Sequence, residues 1–157
     1  MPYFKTELCN YFFQEKGSGK TLIFAHGLFV DHTIFSHQFE HLSKSYNCIS
    51  FDMPGHGKSS YGENGWTLDE IANNFYEFIT VNNIKNPILI GQSQGGMVFM
   101  RLATKFPDLV GGLVLIGTSA KAEYKDRLPF WKEVIQILNS KDETNISSLL
   151  KQIQKNV

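Results

Sequence analysis

A serine stands between two glutamines and close-set glycines in Gly91-Gln92-Ser93-Gln94-Gly95-Gly96. The apolar run Pro87-Ile88-Leu89-Ile90 precedes it, and a helical pattern from Gln94 to Phe106 follows. A sharp strand-to-helix turn brings the residues two before and two after its apex together, so both must be nearly free of side chain, as Gly91 and Gly95 are. Such a turn lifts the Ser93 hydroxyl above the carboxyl ends of the strands, where open α/β sheets bind ligands. It also aims the Gln94 N–H and the positive end of the helix at an oxyanion formed there. The chemistry expected is nucleophilic attack by Ser93 on a carbonyl. The other use of such a turn is to cradle a phosphate at a helix N-terminus. Against it, the dinucleotide pattern G-x-G-x-x-G is absent and a serine occupies the apex.

A serine nucleophile needs a base, and the residues do not nominate one. All five histidines, His26, His32, His37, His41 and His56, precede Ser93. The acids that follow it, Asp108, Glu123, Asp126, Glu133, Asp142 and Glu143, do not come directly after a strand. His26 is placed either to reach Ser93 from a neighbouring strand or to anchor its own loop, and the second is favoured. His37-Gln38-Phe39-Glu40-His41 spells H-x-x-E-H, an inverted zinc-peptidase motif. At about 100° per residue, Ile34, Phe35, Phe39 and Leu42 share one helix face and the three motif residues point away from it, toward solvent. A zinc site also needs a third ligand and a supporting shell, which nothing downstream supplies, so no metal is expected. Gly57-Lys58-Ser59 mimics the end of a phosphate loop, yet the first glycine of that motif would fall at Asp52. No cofactor is called for.

The elements that position Ser93 alternate along the chain. Strand-like runs occur at Thr21–Ala25, Asn47–Phe51, Pro87–Ile90 and Leu113–Ile116, each nearly continuous in apolar character, as parallel strands covered on both faces tend to be. Helical patterns fall between them at Ile34–Lys44, Thr67–Val81 and Gln94–Phe106, with Thr67 and Glu70 forming a capping box and Pro107 ending the third. Tyr3 to Gln14 reads as one or two antiparallel strands leading in. The expected fold is α/β, a mostly parallel, doubly wound sheet of about six strands. Beyond Thr118 the pattern becomes helical, around Phe130, Trp131, Val134, Ile135 and Leu138 and again over Ile146–Ile153. The chain is therefore divided into a core at residues 1–120 and a helical, lid-like start at 121–157. If Leu113–Ile116 ends the sheet, its unpaired apolar edge invites self-association.

Composition narrows the functions. With 157 residues, 42% hydrophobic, the chain can form one domain with a real core. Fifteen basic and fifteen acidic residues leave no net charge to drive binding to nucleic acid or anionic lipid. The longest uncharged stretch, Asn86 to Met100, is too short to span a bilayer. Lys5 and Glu7 interrupt any N-terminal signal region, so the cytoplasm is the expected location. Cys9 and Cys48 lie far apart without metal spacing and read as reduced thiols.

Two further segments agree with the serine turn. His26-Gly27-Leu28-Phe29 follows the first central strand, where a loop N–H, that of Leu28, completes an oxyanion hole. Asp52-Met53-Pro54-Gly55-His56-Gly57-Lys58-Ser59 follows the next strand and contains a tight Pro-Gly turn. Together with Gln92 to Gly96, these segments resemble the α/β-hydrolase family, in its branch of small esterases, lactonases and cofactor-free haloperoxidases. The resemblance implies a hydrolase of small, uncharged esters or lactones, with Ser93 as nucleophile and the N–H groups of Leu28 and Gln94 as the oxyanion hole. Phe29, Phe130 and Trp131 are candidates for lining the substrate pocket, the last two equally for packing the terminal helices. The family's catalytic order is serine, acid, histidine, so the resemblance also implies that the chain stops inside the lid helices, ahead of both missing triad members. The alternative functions are a non-catalytic fragment that serves as a binding or assembly module and the zinc peptidase of the H-x-x-E-H motif.

Overall fold

The computed structural model describes residues 3–61, 65–121 and 125–155. The chain divides into two compact units, Met1–Ala120 and Lys121–Val157. The first holds a six-stranded sheet made of β1 (Tyr3–Lys5), β2 (Asn10–Lys16), β3 (Thr21–Ala25), β4 (Asn47–Phe51), β5 (Ile88–Gln92) and β6 (Gly112–Ile116). Its helices are α1 (Ser36–Leu42), α2 (Leu68–Val81) and α3 (Gln94–Lys105). Spatial order is β1-β2-β4-β3-β5-β6. The β1–β2 and β2–β4 pairs are antiparallel, and the β4–β3, β3–β5 and β5–β6 pairs are parallel.

Alternation along the strands divides the core. Ile23 and Ala25 of β3 join Ile49, Phe51 and Leu89 against Ile71, Phe75 and Phe78 of α2 and Val98, Phe99 and Leu102 of α3. Their neighbours Leu22 and Phe24 point to the opposite face, with Cys48 and Ile90, against Phe35 and Phe39. Period-two side-chain direction is the cause. The chain leaves β3 toward β4 on one side and later returns to pair β5 on the other, so β3 and β5 flank a switch point where their loops part and leave a crevice.

Local signals act as expected at several ends. Thr67 Oγ1 accepts from the Glu70 N–H at 3.2 Å while Glu70 Oε2 accepts from the Thr67 N–H at 2.6 Å, closing the capping box that starts α2. The first helical segment differs from expectation. Residues His32–Phe35 form a 3-10 turn and only Ser36–Leu42 is α-helical. Asp31 starts the turn by accepting from the Thr33 N–H at 2.8 Å. The tighter winding rotates Ile34 off the apolar face, leaving it 43% exposed while Phe35 and Phe39 are buried.

The strand β6 pairs with β5 and lies last in the sheet. Its residues Leu113, Val114, Leu115 and Ile116 are 38–45% exposed on both faces, despite a composition suited to a sheet interior. Neither charge nor proline interrupts the segment from Gly111 to Ser119, so this edge lacks the usual guards against pairing with another strand. In the second unit, α4 (Leu128–Asn139) packs on α5 (Glu143–Lys155), with Val134 and Leu149 buried. Among the described residues no helix is long and apolar enough to cross a membrane.

Candidate active site

Ser93 lies between β5 and α3 with φ 49° and ψ −116°, a left-handed conformation rare for a non-glycine residue. Three glycines make room for it. A Cβ on Gly91 would lie 2.5 Å from the Gly96 backbone, and one on Gly95 would lie 2.2 Å from the Ala25 carbonyl oxygen. A Cβ on Gly27 would meet Ser93 Cβ at 2.8 Å and Ser93 Oγ at 3.3 Å. The loop after β3 is thus pressed against the serine, and the Gly95 N–H donates to the His26 carbonyl at 3.1 Å to seal the two segments together.

Beyond Gly27 the loop turns through Phe29, whose φ is 63°. Among the described residues the N–H groups of Leu28 and Gln94 have no hydrogen-bond partner, and both belong to the segments joined at Ser93. Unpaired N–H groups at a helix N-terminus and an adjoining loop favour an oxyanion or another acceptor. The side-chain oxygens of Gln92 and Gln94, on either side of Ser93, are buried without a hydrogen-bond partner among the described residues. Phe29 sits in the same loop as Leu28, whereas Phe130 and Trp131 belong to the second unit, where their rings contact edge to face at 5.3 Å.

The histidines have other partners. His26 is fully buried, its Nδ1 2.7 Å from the Gly27 carbonyl and its Nε2 accepting from the Met53 N–H at 3.0 Å. That pattern fixes the neutral tautomer with the proton on Nδ1. Burial, above all, lowers its pKa from 6.5 to about 4; the Gly27 hydrogen bond opposes this, His56 adds to it, and Asp52 and Asp31 oppose it. Both ring nitrogens are committed to holding the loops after β3 and β4, so His26 anchors rather than serves Ser93. His56 Nδ1 lies 3.0 Å from the Pro54 carbonyl. His37 and His41 are exposed on α1, and Glu40 of the same motif pairs with Lys16 at 2.5 Å.

Asp52 is the organising residue that sequence reasoning missed. Its carboxylate is fully buried, and Oδ1 accepts from the His32 N–H at 2.8 Å and lies 2.7 Å from His32 Nδ1. Oδ2 accepts from the Lys58 N–H at 2.8 Å, and a Cβ on Gly57 would come within 2.2 Å of it. One carboxylate therefore ties the end of the Leu28 loop to the Pro54–Ser59 turn. The signal available in the sequence was an acid at a strand end ahead of a Pro-Gly-x-Gly turn. Asp31, His32 and Asp52 are a trio of potential metal ligands that the fold gathers, in place of the H-x-x-E-H residues. Asp31 Oδ1 accepts from Thr33, and the two oxygens of Asp52 are engaged by His32 and Lys58. Cys9 and Cys48 are free thiols, and burial pushes Cys9 up to about 11 and raises Cys48, which keeps both protonated and unreactive at neutral pH. Of the acids after Ser93, Glu123 lies outside the described residues.

Ser93 thus stands at a strand-helix junction beside a sheet switch point, and known proteins share the fold around it. The family model for the alpha/beta hydrolase fold matches residues 20–141, and the chain belongs to that family. It is similar to a 2-(acetamidomethylene)succinate hydrolase of Mesorhizobium japonicum, 33% identical over 103 residues that cover 66% of this chain and 37% of the relative. It is also similar to the AB hydrolase superfamily protein YisY of Bacillus subtilis, 31% identical over 123 residues covering 76% and 46%. Among solved structures, a thermophilic esterase from Thermogutta terrifontis superposes with a TM-score of 0.75 at 25% identity, covering 82% of this chain and 47% of that one. The chain spans less than half the length of these relatives.

Proposed function

We propose that this chain carries the nucleophile and oxyanion hole of a serine hydrolase acting on small, uncharged carboxylic esters or lactones. The positive φ of Ser93 at the strand-helix junction is the observation that supports it most directly. Ser93 Oγ adds to the substrate carbonyl, and the N–H groups of Leu28 and Gln94 stabilise the oxyanion of the tetrahedral adduct. Collapse of the adduct expels the alcohol and leaves an acyl-serine, which water then hydrolyses. Each step needs a proton acceptor and donor, and the commitments of His26, His32 and His56 leave no histidine bonded to Ser93 among the described residues. In this proposal the base and its orienting acid come from outside these 157 residues, in the part of the relatives' length that the chain does not match. Esterase and lactonase names among the similar structures support the substrate class, and hydrolase names among the curated relatives support the reaction type.

A fluorophosphonate probe tests the nucleophile. We expect slow formation of a covalent adduct on the peptide containing Ser93, and none on Ser93→Ala. Steady hydrolysis of an activated ester by the 157-residue chain should be slight, because a site without its base keeps only the oxyanion and binding contributions, roughly 10³ to 10⁴-fold over water in related chemistry. An adduct confined to other residues would refute the nucleophile. Brisk turnover lost on Ser93→Ala would refute the outside base and return His26 to consideration.

A further inference from the structure

Both backbone groups of Ser93 are held by the end of β6 and the residues just past it. The Ser93 N–H donates to the Ile116 carbonyl at 2.9 Å, carrying the β5–β6 ladder into the turn. Thr118 Oγ1 donates to the Ser93 carbonyl at 2.7 Å. The same threonine lies flush on the helix start, since a Cβ on Gly96 would meet Thr118 Cγ2 at 2.6 Å and Oγ1 at 2.8 Å. Within α3 the Ser93 carbonyl also accepts from the Met97 N–H, at the longer distance of 3.2 Å.

The Ser93 carbonyl and the Gln94 N–H belong to one planar trans peptide and point in opposite directions. A donor that grips the carbonyl therefore aims the N–H. Of the two donors to that carbonyl, the helix bond from Met97 is the longer at 3.2 Å and the Thr118 hydroxyl the shorter at 2.7 Å, so Thr118 adds the tighter grip on the plane that α3 begins to set. The geometry points to Thr118 as a positioning residue: its hydroxyl fixes the peptide after Ser93 and thereby orients the Gln94 N–H toward a substrate oxyanion. This rests on the proposal that the Gln94 N–H serves an oxyanion hole. It also gives the exposed strand β6 a part in the site, because Ile116 and the residue two beyond it clamp the serine from the same side.

Two substitutions in the full 157-residue chain separate the hydroxyl from the packing. Thr118→Val keeps the bulk against Gly96 and removes the donor; Thr118→Ser keeps the donor and removes the methyl group. The readouts are the rate at which a fluorophosphonate labels Ser93 and the amide resonance of Gln94, with thermal melting as a check on folding. Loss of one such hydrogen bond should slow labelling about five- to tenfold in Thr118→Val and shift the Gln94 resonance. Thr118→Ser should label within about twofold of the parent and leave that resonance in place, since the hydroxyl bond is retained. Thr118→Val labelling at the parent rate with an unmoved resonance would overturn the inference, as would equal slowing in both variants. If the parent chain is not labelled at all, the nucleophile proposal fails, and the Gln94 resonance alone decides: moved by valine but not by serine, it supports the role of Thr118; otherwise that role is overturned.

Discussion

Gly95→Ala should lower the stability of the chain by ~3 kcal/mol or more, read as a fall in the denaturant midpoint, although alanine is the better helix former. Gly95 lies in the first turn of α3 with ordinary helical φ, so intrinsic propensity alone would favour alanine by about 1 kcal/mol. The added Cβ decides the sign. It would sit 2.2 Å from the Ala25 carbonyl oxygen, 2.5 Å from its carbon and 2.8 Å from the His26 carbonyl oxygen, all backbone atoms of the central strand and its exit. Backbone in the middle of a sheet cannot step aside as a side chain can, so either α3 lifts from β3 or the Gly95–His26 hydrogen bond breaks. Gly65→Ala is the control: Gly65 has φ 70° and nothing within 4 Å of its added Cβ, so it should lose only the conformational cost, about 1–2 kcal/mol. A Gly95→Ala midpoint equal to or above the parent's would mean that α3 does not approach β3 as closely as described.

That contact shows how much of the site could be read from the sequence. The requirement for small residues around Ser93 follows from the geometry of any tight strand-helix turn, and Gly91 and Gly95 answer it within five residues. The strands β3 and β4 were legible to the residue because both faces are covered and their apolar runs are unbroken. By contrast β5 runs on to Gln92, past the end of its apolar run, because Ile116 pairs with it there. The same cross-strand register brings Thr118 onto Ser93, and no local pattern encodes a contact between residues 25 positions apart. Asp52 and His32 are likewise joined across two loops that only the parallel β3–β4 pairing places side by side. Ile34 leaves the apolar face that a uniform 100° step assigns to it because the turn His32–Phe35 winds more tightly than an α-helix.

Acid should destabilise the chain in a window that belongs to His26. Its pKa is 6.5 as an ordinary group and about 4 in the fold, where burial is the main cause. Between those values the unfolded chain binds a proton that the folded chain refuses, so unfolding free energy rises with pH across the window. Stability is full above about pH 6.5, falls as pH drops toward 4, and the loss approaches about 3 kcal/mol once the folded form protonates as well. Protonating Nε2 would set an N–H against the Met53 N–H that now donates to it, and the Asp52 carboxylate 3.9 Å away compensates only in part. The carboxylates shifted in the fold act elsewhere on the scale. Asp31, Asp69 and Glu70 are all held below their ordinary values, chiefly by hydrogen bonds from Thr33, Lys105 and Thr67, so their contributions disappear only below about pH 4.5. Urea unfolding at pH 7, 6, 5 and 4.5 should therefore show a steady decline, while the His26 ring resonances stay those of a neutral imidazole down to pH 5 and only begin to move at pH 4.5. A flat stability profile across this range, or a His26 ring that titrates near pH 6.5 in the folded chain, would show that the imidazole is not locked between Gly27 and Met53 and is free to act elsewhere in the site.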